Sequence, residues 1–535
     1  MFRIISLLMG CMLSFTALHA QSFQQSFGGK LDDEVIDVLE VDGSYYILGN
    51  TRSKGNGEYD VFIRKIDSNG DEVGSTALFD YSKNENSKIN YGDERAGGLT
   101  YDVENDLLVV SGVIQQQDYD LSAGIGEYLL WVLTVDTDLA QVGQLIRRVN
   151  YNNPHVLDAS FTVGAIASSS THYAVTMSSE FITNNSSTDG GVIFIPKGDV
   201  GTSVVGDRNY TVKSQENEGQ IDYINNIRFG SDGNFYAVGT AYENNREIRA
   251  SITQFSADGS TGTIAKIKLS SGFWNGNINR IEAHDVLVKD DGNLLVIGEI
   301  SPRDRDFYEG LFLMEINSNL NDIISFRVIG KELNSIGEKI IKTNSGYAIL
   351  GSSNSSSYNF GLQDAYLINL DNNLNVVWSS VLGGEKDEEV VGLVATVDGG
   401  FMVASNTTTF TSQGRNILIS KTNNLGQTEC NSTPVTKDQI DFIVLDGSDF
   451  SDAFQISTSA AGNENHIQNF KSSQFEDKYE IVPAVLTSFN PSCVCGFDSD
   501  FDHTEPACLG QDVTFTALFA SSSSSYTWDF GDEST

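Results

Sequence analysis

The sequence predicts an all-β protein built from repeats, and two observations lead to this prediction. The segment DGSYYILG at Asp42–Gly49, an Asp-Gly turn followed by an apolar strand, returns several times along the chain. The chain also contains 50 Gly, 20 Tyr and 30 Phe. That composition is typical of aromatic-rich strands separated by tight turns.

Seven copies of this segment are recognisable, and they end at residues 49, 112, 177, 239, 298, 351 and 405. The clearest later copies are DGNFYAVG, DGNLLVIG, SGYAILG and DGGFMVAS, whereas NDLLVVSG and STHYAVTM are weaker. Successive copies end 63, 65, 62, 59, 53 and 54 residues apart. A near-constant spacing of this kind indicates a repeat architecture.

Each copy has the same order of elements around it. An apolar strand such as Glu34–Val41 precedes the turn, and a variable loop and a third strand such as Val61–Ile66 follow the repeated segment. A short Asn- or Gly-containing turn then leads to a fourth strand, and such residues suit tight hairpins. Third strands such as Leu129–Val135, Leu311–Ile316 and Ala365–Leu370 are apolar almost throughout, which indicates burial on both faces. Four strands in each of seven units predict a seven-bladed β-propeller with antiparallel blades.

Two similar segments predict how the ring closes. Phe23–Glu34, which contains FGGKLDDE, matches Trp378–Glu389, which contains LGGEKDEE. The second segment is the outer strand of repeat six leading into repeat seven. We therefore expect Gln21–Phe27 to supply the missing outer strand of blade seven, which removes two exposed edges.

The motifs FGGxxDDE, DGxYxxxG and DVFIRKIDSNG resemble the repeats of secreted β-propeller proteins of Bacteroidota, over about Gln21–Glu429. Further on, the segment WDFGD at Trp528–Asp532 resembles the start of a polycystic kidney disease (PKD) domain, an immunoglobulin-like sandwich. The resemblance implies a sandwich module of which the chain contains only the beginning.

The expected domain organisation follows from these segments. Met1–Ala20 has a charged start at Arg3 and an apolar run, so we expect a signal peptide cleaved after Ala20, with a lipoprotein box at Cys11 as the weaker alternative. The expected divisions are 1–20 signal peptide, 21–429 propeller, 430–496 small β connector with strands at Ile440–Leu445 and Tyr479–Leu486, and 497–535 truncated PKD-like domain. The protein is expected to be secreted or displayed at the cell surface, without a transmembrane segment in this chain.

The charge narrows the class of partners. The chain has 72 acidic and 33 basic residues, for a formal net charge of -39. Such a chain repels nucleic acids and anionic membranes. A glycan or another protein is the expected partner.

The four cysteines of the exported chain are expected to form disulfides. Cys493 and Cys495 are too close in sequence to pair comfortably, so each is expected to join Cys430 or Cys508. A zinc site is the alternative, without a supporting His spacing.

The clustered carboxylates where the chain enters blades one and seven allow two interpretations of their role. Asp32, Asp33, Asp387 and Glu388 lie in the duplicated segments. They could bind calcium, the one cofactor the sequence suggests. They could equally accept hydrogen bonds from loop amides.

Binding residues are expected on the loops between second and third strands, since long loops on a rigid scaffold often carry function. The candidates at these loops are Tyr119, Tyr242, Arg303, Arg305, Tyr308 and Tyr358. No catalytic residue is expected, and His284, in the apolar strand IEAHDVLV, is interpreted as a hydrogen-bonded core residue.

Export, a repeat scaffold and the absence of a recognisable catalytic motif favour a non-catalytic binding or adhesion protein. Two alternatives stay open. One is a polysaccharide-degrading enzyme with its site on the propeller. The other is a scaffold within a larger surface protein.

Overall fold

The computed structural model is all-β, and a short 3-10 helix at Lys197–Asp199 is the one helical segment of its described residues. No helix in this described part is long and apolar enough to cross a membrane. The structure describes residues 22–54, 59–85, 88–91, 93–116, 127–151, 160–181, 187–201, 210–214, 222–243, 247–269, 278–302, 310–329, 335–354, 362–409, 414–428, 431–435, 442–445, 454–463, 467–471, 479–486, 492–493, 502–503 and 515–516.

The strands from residue 23 to residue 421 form seven antiparallel four-stranded units within these described ranges. Unit 1 consists of β2 (Asp33–Val41), β3 (Ser44–Thr51), β4 (Asp60–Ile66) and β5 (Thr76–Glu85), with β6 (Lys88–Tyr91) paired to β5. Unit 2 consists of β7 (Asp93–Asp102), β8 (Leu107–Gln116), β9 (Glu127–Val135) and β10 (Gln141–Tyr151). Unit 3 consists of β11 (Ser160–Ser168), β12 (His172–Phe181), β13 (Ser187–Pro196) and β14 (Thr211–Ser214).

Unit 4 consists of β15 (Asp222–Phe229), β16 (Asn234–Glu243), β17 (Glu247–Ser256) and β18 (Gly262–Leu269), and unit 5 of β19 (Ile278–Val288), β20 (Leu294–Pro302), β21 (Gly310–Ile316) and β22 (Ile323–Ile329). Unit 6 consists of β23 (Ser335–Thr343), β24 (Gly346–Ser353), β25 (Asp364–Asp371) and β26 (Val376–Leu382). Unit 7 consists of β27 (Glu388–Ala395), β28 (Phe401–Thr407), β29 (Asn416–Lys421) and the N-terminal strand β1 (Phe23–Phe27).

The first strand of each unit is its inner strand, and the inner strands form a closed cycle. Contacts join β2 to β7, β7 to β11, β11 to β15, β15 to β19, β19 to β23, β23 to β27, and β27 back to β2. A radial arrangement of antiparallel four-stranded sheets is that of a β-propeller. β1 pairs with β29 in the register Phe23 to Lys421 through Phe27 to Ile417, as the duplicated segments predict.

The hydrophobic core lies between units rather than inside one. Each of the hydrophobic clusters found in the described residues draws its side chains from two neighbouring units. Leu48 of unit 1 belongs to the same cluster as Leu108 of unit 2, for example. Both faces of the central strands are therefore covered, and β21 is buried at every position.

Every inner strand contains a β-bulge near its middle, and the bulge explains the last glycine of the DGxxxxxG segment. The register shifts between Val35 and Asp37 in unit 1 and between Ala283 and Asp285 in unit 5. The bulge pushes a carbonyl of the inner strand toward the second strand, so a Cβ on Gly298 would collide with the Glu282 carbonyl oxygen. Glycine is needed there for close approach of two backbones.

The residue that follows the bulge joins neighbouring units. Asp285 is fully buried and accepts hydrogen bonds from Asn226 Nδ2 in unit 4 at 2.7 Å and from the Ile340 amide in unit 6 at 2.9 Å. In unit 1, Asp37 Oδ2 accepts a hydrogen bond from the Leu99 amide of unit 2 at 3.2 Å. These side chains satisfy backbone groups of the next inner strand.

The segment after the ring adds a fifth strand to each unit and runs around the outside as a belt. In chain order the belt strands pair with units 6, 5, 4, 3, 2, 1 and 7. They are β30 (Ser432–Val435, on β26), β31 (Phe442–Leu445, on β22), β32 (Phe454–Ala460, on β18), β33 (Gly462–Asn463, on β14), β34 (Ile467–Lys471, on β10), β35 (Tyr479–Leu486, on β5) and β36 (Ser492–Cys493, on β1).

The two strands expected in the connector therefore exist as β31 and β35, and they pair with the outer strands of units 5 and 1. Beyond residue 496, β37 (Asp502–His503) and β38 (Phe515–Thr516) form a two-stranded antiparallel sheet. The remainder of the expected PKD-like segment lies outside the described residues.

Replacing Gly298 by Ala should cost more free energy of unfolding than replacing Gly292 by Ala. Overpacking typically costs about 1–3 kcal/mol. A Cβ on Gly298 would lie 1.9 Å from the Glu282 carbonyl oxygen, so its cost should reach the upper end of that range or exceed it. Gly292 has a φ of +86° and open space around it, so its replacement costs only the left-handed strain of about 1–2 kcal/mol. Urea denaturation of both variants measures the two losses. Equal losses would contradict the role assigned to the bulge.

Ending the chain at Glu429 should lower the melting temperature and make the protein associate as its concentration rises. The truncation removes the belt and leaves the outer edge of each unit unpaired, and open edges pair with other chains. Calorimetry and light scattering, with a chain ending at residue 496 as control, measure both effects. A monomeric truncated chain with unchanged melting temperature would show that the belt is dispensable.

Candidate functional site

A cluster of charged side chains lies at the end of the ring where the inner strands begin and the long connections between second and third strands lie. We call it the rim cluster, and it consists of Arg280, Glu282, His284, Glu299 and Glu338. The first three belong to β19, the fourth to β20 and the last to β23 of unit 6.

The alternation of β19 brings these groups together. Side chains two residues apart lie on one face of a strand, so Arg280, Glu282 and His284 are neighbours. Arg280 Nε donates to Glu282 Oε1 at 2.5 Å, and its Nη2 lies 3.5 Å from Glu299 Oε2. The Arg280 guanidinium therefore joins the carboxylates of Glu282 and Glu299.

His284 connects unit 5 to unit 6. Its Nδ1 lies 3.1 Å from Glu338 Oε2, and its side chain is 16% exposed. Burial lowers the pKa of His284, but the hydrogen bond and charge of Glu338, with the charges of Glu282 and Glu299, outweigh burial and raise the pKa above its usual value.

Two tyrosines of unit 4 border the rim cluster. The rings of Tyr223 and Tyr242 meet edge to face with centroids 6.2 Å apart, and Tyr223 is 37% exposed. Burial, followed by the charge of Glu282, raises the pKa of Tyr242. An aromatic pair, with Tyr223 exposed and Tyr242 half-buried, therefore adjoins charged groups that can donate and accept hydrogen bonds.

The cluster offers ligands for a metal ion, but Arg280 competes for them. Glu282, His284 and Glu299 each place one ligand atom within 4.8 Å of the others. A metal would have to displace the guanidinium, whose positive charge opposes a cation in the same place. Burial lowers the pKa of Arg280, yet Glu282 and Glu299 more than compensate and raise it. The donor set therefore fits an ion-pair network better than a metal centre.

Of the binding residues predicted from the loops, Tyr242 lies in the described part of the chain and borders the rim cluster. The other five, Tyr119, Arg303, Arg305, Tyr308 and Tyr358, lie outside the described residues. His284, for which the sequence predicts a hydrogen-bonded core residue, is hydrogen-bonded to Glu338 but lies in the rim cluster with part of its side chain exposed. The signal for its neighbours is the alternation Arg-x-Glu-x-His on an otherwise apolar strand.

The carboxylates considered for calcium occupy two equivalent places in units 1 and 7. Asp33 and Glu388 are fully buried, whereas Asp387 is exposed and Asp32 is half-buried. Asp33 Oδ2 accepts from the Gly29 amide at 2.5 Å, and Glu388 Oε2 accepts from the Gly384 amide at 2.7 Å.

Hydroxyl groups complete both arrangements. Thr51 and Ser53 donate to Asp33, and Thr407 and Thr409 donate to Glu388 at 2.8 and 2.6 Å. Asp33 and Glu388 thus accept hydrogen bonds from loop amides, which is the second of the two interpretations that the sequence allows for these carboxylates. Calcium binding stays a prediction. Burial raises the pKa of Asp33 despite these donors.

One of the four cysteines expected to form disulfides lies among the described residues. Cys493 lies in β36, opposite Gln25 of β1. Cys430, Cys495 and Cys508 lie outside the described residues. The pairing of these cysteines stays a prediction.

Comparison with known proteins yields distant similarities. No family model and no curated protein sequence matches the chain. Among solved structures, Trypanosoma rangeli sialidase is 9% identical with a TM-score of 0.34, covering 76% of this chain, which spans 58% of the sialidase. Bombyx mori GH32 β-fructofuranosidase BmSUC1 is 10% identical, with a TM-score of 0.25 and coverage of 83% of this chain and 94% of that one. A xylan β-1,4-xylosidase from Bacillus halodurans is 8% identical, with a TM-score of 0.25 and coverage of 81% and 99%. Likeness at this level assigns no activity and no residue.

The ion pair of His284 should make stability depend on pH. Folding raises the pKa of His284 above its value in the unfolded chain, about 6.5. The contribution of the ion pair to the free energy of unfolding is therefore complete below that unfolded pKa and is lost as pH rises through the folded pKa. The stability difference between wild type and H284Q should therefore shrink from pH 5.5 to pH 8.5 in urea titrations.

His172 provides a control of opposite sign, because burial lowers its pKa. Its protonation disfavours the folded state, so H172Q should gain stability relative to wild type as pH falls. A difference for H284Q that stays constant with pH would show that folding leaves the pKa of His284 unchanged, which would contradict the ion pair with Glu338.

Proposed function

We propose that this chain is an exported seven-bladed β-propeller that binds a glycan at the rim cluster without cleaving it. The observation that carries the proposal is the Tyr223–Tyr242 pair beside Arg280 and Glu282, at the end of the ring where the long connections lie. Aromatic faces cover the apolar side of a sugar ring, and charged groups bond its hydroxyls.

Charge indicates which glycans suit the site. Three carboxylates in the rim cluster face one guanidinium and one imidazole, and the chain carries a net charge of -39. A polyanionic glycan is repelled by this surface. Neutral or amino-bearing glycans are therefore the proposed ligands.

The signal peptide, the secreted or surface location and the PKD-like segment belong to the same proposal. Export of the chain gives a glycan-binding ring access to polysaccharides outside the cell. The PKD-like segment then acts as a spacer or a second contact. The same ring could instead serve only as a scaffold within a larger surface protein. That alternative predicts that no ligand binds at the rim cluster.

A polysaccharide-degrading enzyme is the second candidate, and one observation favours it. Glu282 and Glu299 approach within 4.8 Å, near the separation of about 5–5.5 Å found for the two carboxyl groups of retaining glycosidases. Against it, Arg280 engages both carboxylates, whereas such an enzyme needs one of them protonated as an acid.

A glycan array combined with a hydrolysis screen on the secreted chain tests the proposal. Y242A should weaken binding of the retained neutral glycan roughly tenfold, equivalent to about 1.4 kcal/mol, because the aromatic platform is lost. Y101A is the matched control, since Tyr101 lies near the opposite end of the ring, on β7, and bonds Asp106.

Three outcomes decide between the candidates. Retention with no turnover, weakened by Y242A and unaffected by Y101A, supports the binding function. Turnover abolished by E282Q or E299Q establishes the enzyme instead. Retention that Y242A leaves unchanged would place the glycan site elsewhere.

A further inference from the structure

A second site lies on the axis of the ring, at the end opposite the rim cluster. A cavity of about 500 Å³, open to solvent on one side, is lined by the halves of the inner strands that follow the bulges. We call it the axial cavity, and strands β2, β7, β11, β15, β23 and β27 line it. Its volume falls within the range of small-molecule pockets, about 300–1,000 Å³.

One wall of the axial cavity is acidic. Asp37 and Glu40 both belong to β2 of unit 1 and line the cavity. Asp37 accepts hydrogen bonds from the amides of Val38, at 2.9 Å, and Leu99, at 3.2 Å. A carboxylate has about four acceptor positions, so Asp37 keeps two for a ligand.

The wall across the cavity is basic. Arg228 comes from unit 4, while Lys339 and Lys342 come from unit 6. The fully buried Asp285 fixes Arg228 through Nη2 at 2.9 Å and Nε at 3.2 Å. That contact holds the guanidinium in place and leaves Nη1 outside the pair with Asp285.

Lys339 is the key group of this wall. Within the described residues, no hydrogen bond or ion pair engages its ammonium group, and its charge acts on Asp37 across the cavity. Lys342, by contrast, is already paired with Asp290 at 2.6 Å. An ammonium and a carboxylate that face each other without meeting leave room for a ligand that contacts both.

We propose that the axial cavity binds a small zwitterion, such as a short peptide with free termini. Its ammonium group faces Asp37 and Glu40, and its carboxylate faces Lys339 and Arg228. A simple anion would meet the acidic wall and a simple cation the basic wall, so a ligand with both charges fits best. Burial raises the pKa of Asp37, so a cationic ligand group relieves an unfavourable carboxylate.

Titration calorimetry of the complete secreted chain with triglycine tests this proposal at low ionic strength. Triglycine should bind, while N-acetyl-triglycine and triglycinamide, which lack the cationic and the anionic end, should bind at least about tenfold more weakly. Because these comparisons use the wild-type protein, they do not depend on any variant folding.

The variant K339Q identifies the group that holds the carboxylate. It should weaken triglycine about tenfold and leave the already weak binding of triglycinamide unchanged. K30Q, at an exposed lysine that does not line the cavity, should change neither. A melting curve checks that K339Q is folded.

Three results would overturn the proposal. They are no heat and no shift in melting temperature with millimolar triglycine, equal binding of all three peptides, or equal weakening of triglycine and triglycinamide by K339Q. Because the rim cluster lies at the other end of the ring, failure here leaves the proposed glycan binding intact, and the reverse also holds.

Discussion

The bulge in each inner strand is the local constraint on which the interior of the ring depends. It forces two backbones together, so the second strand must end its repeated segment in glycine wherever the carbonyl points at it, as at Gly239 and Gly298. It also turns the next side chain toward the neighbouring unit, as Asp37 and Asp285 show. The same irregularity therefore explains a sequence repeat and a contact between repeats.

The bulge also divides the interior into two chemically different ends. Before the bulge and at it, β19 presents Arg280, Glu282 and His284 to the rim, where their charges pair closely. After it, Asp37 and Lys339 face each other across an open space. A closely paired cluster resists rearrangement, whereas charges that do not contact each other can both engage one ligand. One scaffold thus supports two sites of different character.

Much of the ring could be predicted because each unit repeats local signals. The Asp-Gly turns mark the second strands, since Gly233 and Gly399 have φ of +84° and +86°. The third strands were placed within one or two residues of their observed ends, because burial on both faces leaves a continuous apolar run. The duplicated FGG segment identified β1 as the closing strand.

The belt and the rim cluster were harder to predict for physical reasons. Belt strands such as β31 and β35 pair with residues more than a hundred positions away, and no turn or repeat marks their partners. The rim cluster combines side chains from β19, β20 and β23, and only the alternation within β19 is visible locally. Sequence patterns report local periodicity, and these features depend on which units become neighbours.

The belt also limits how this protein can change during evolution. A ring of repeats ordinarily gains or loses a unit by duplication or deletion of one segment, since each unit contacts only its neighbours. Here each unit has a dedicated strand in a separate stretch of chain, in reverse order from unit 6 to unit 1 and then unit 7. A duplicated unit would arrive without its belt strand and shift every later pairing. The number of units is therefore coupled to the length of a segment that lies outside the repeats.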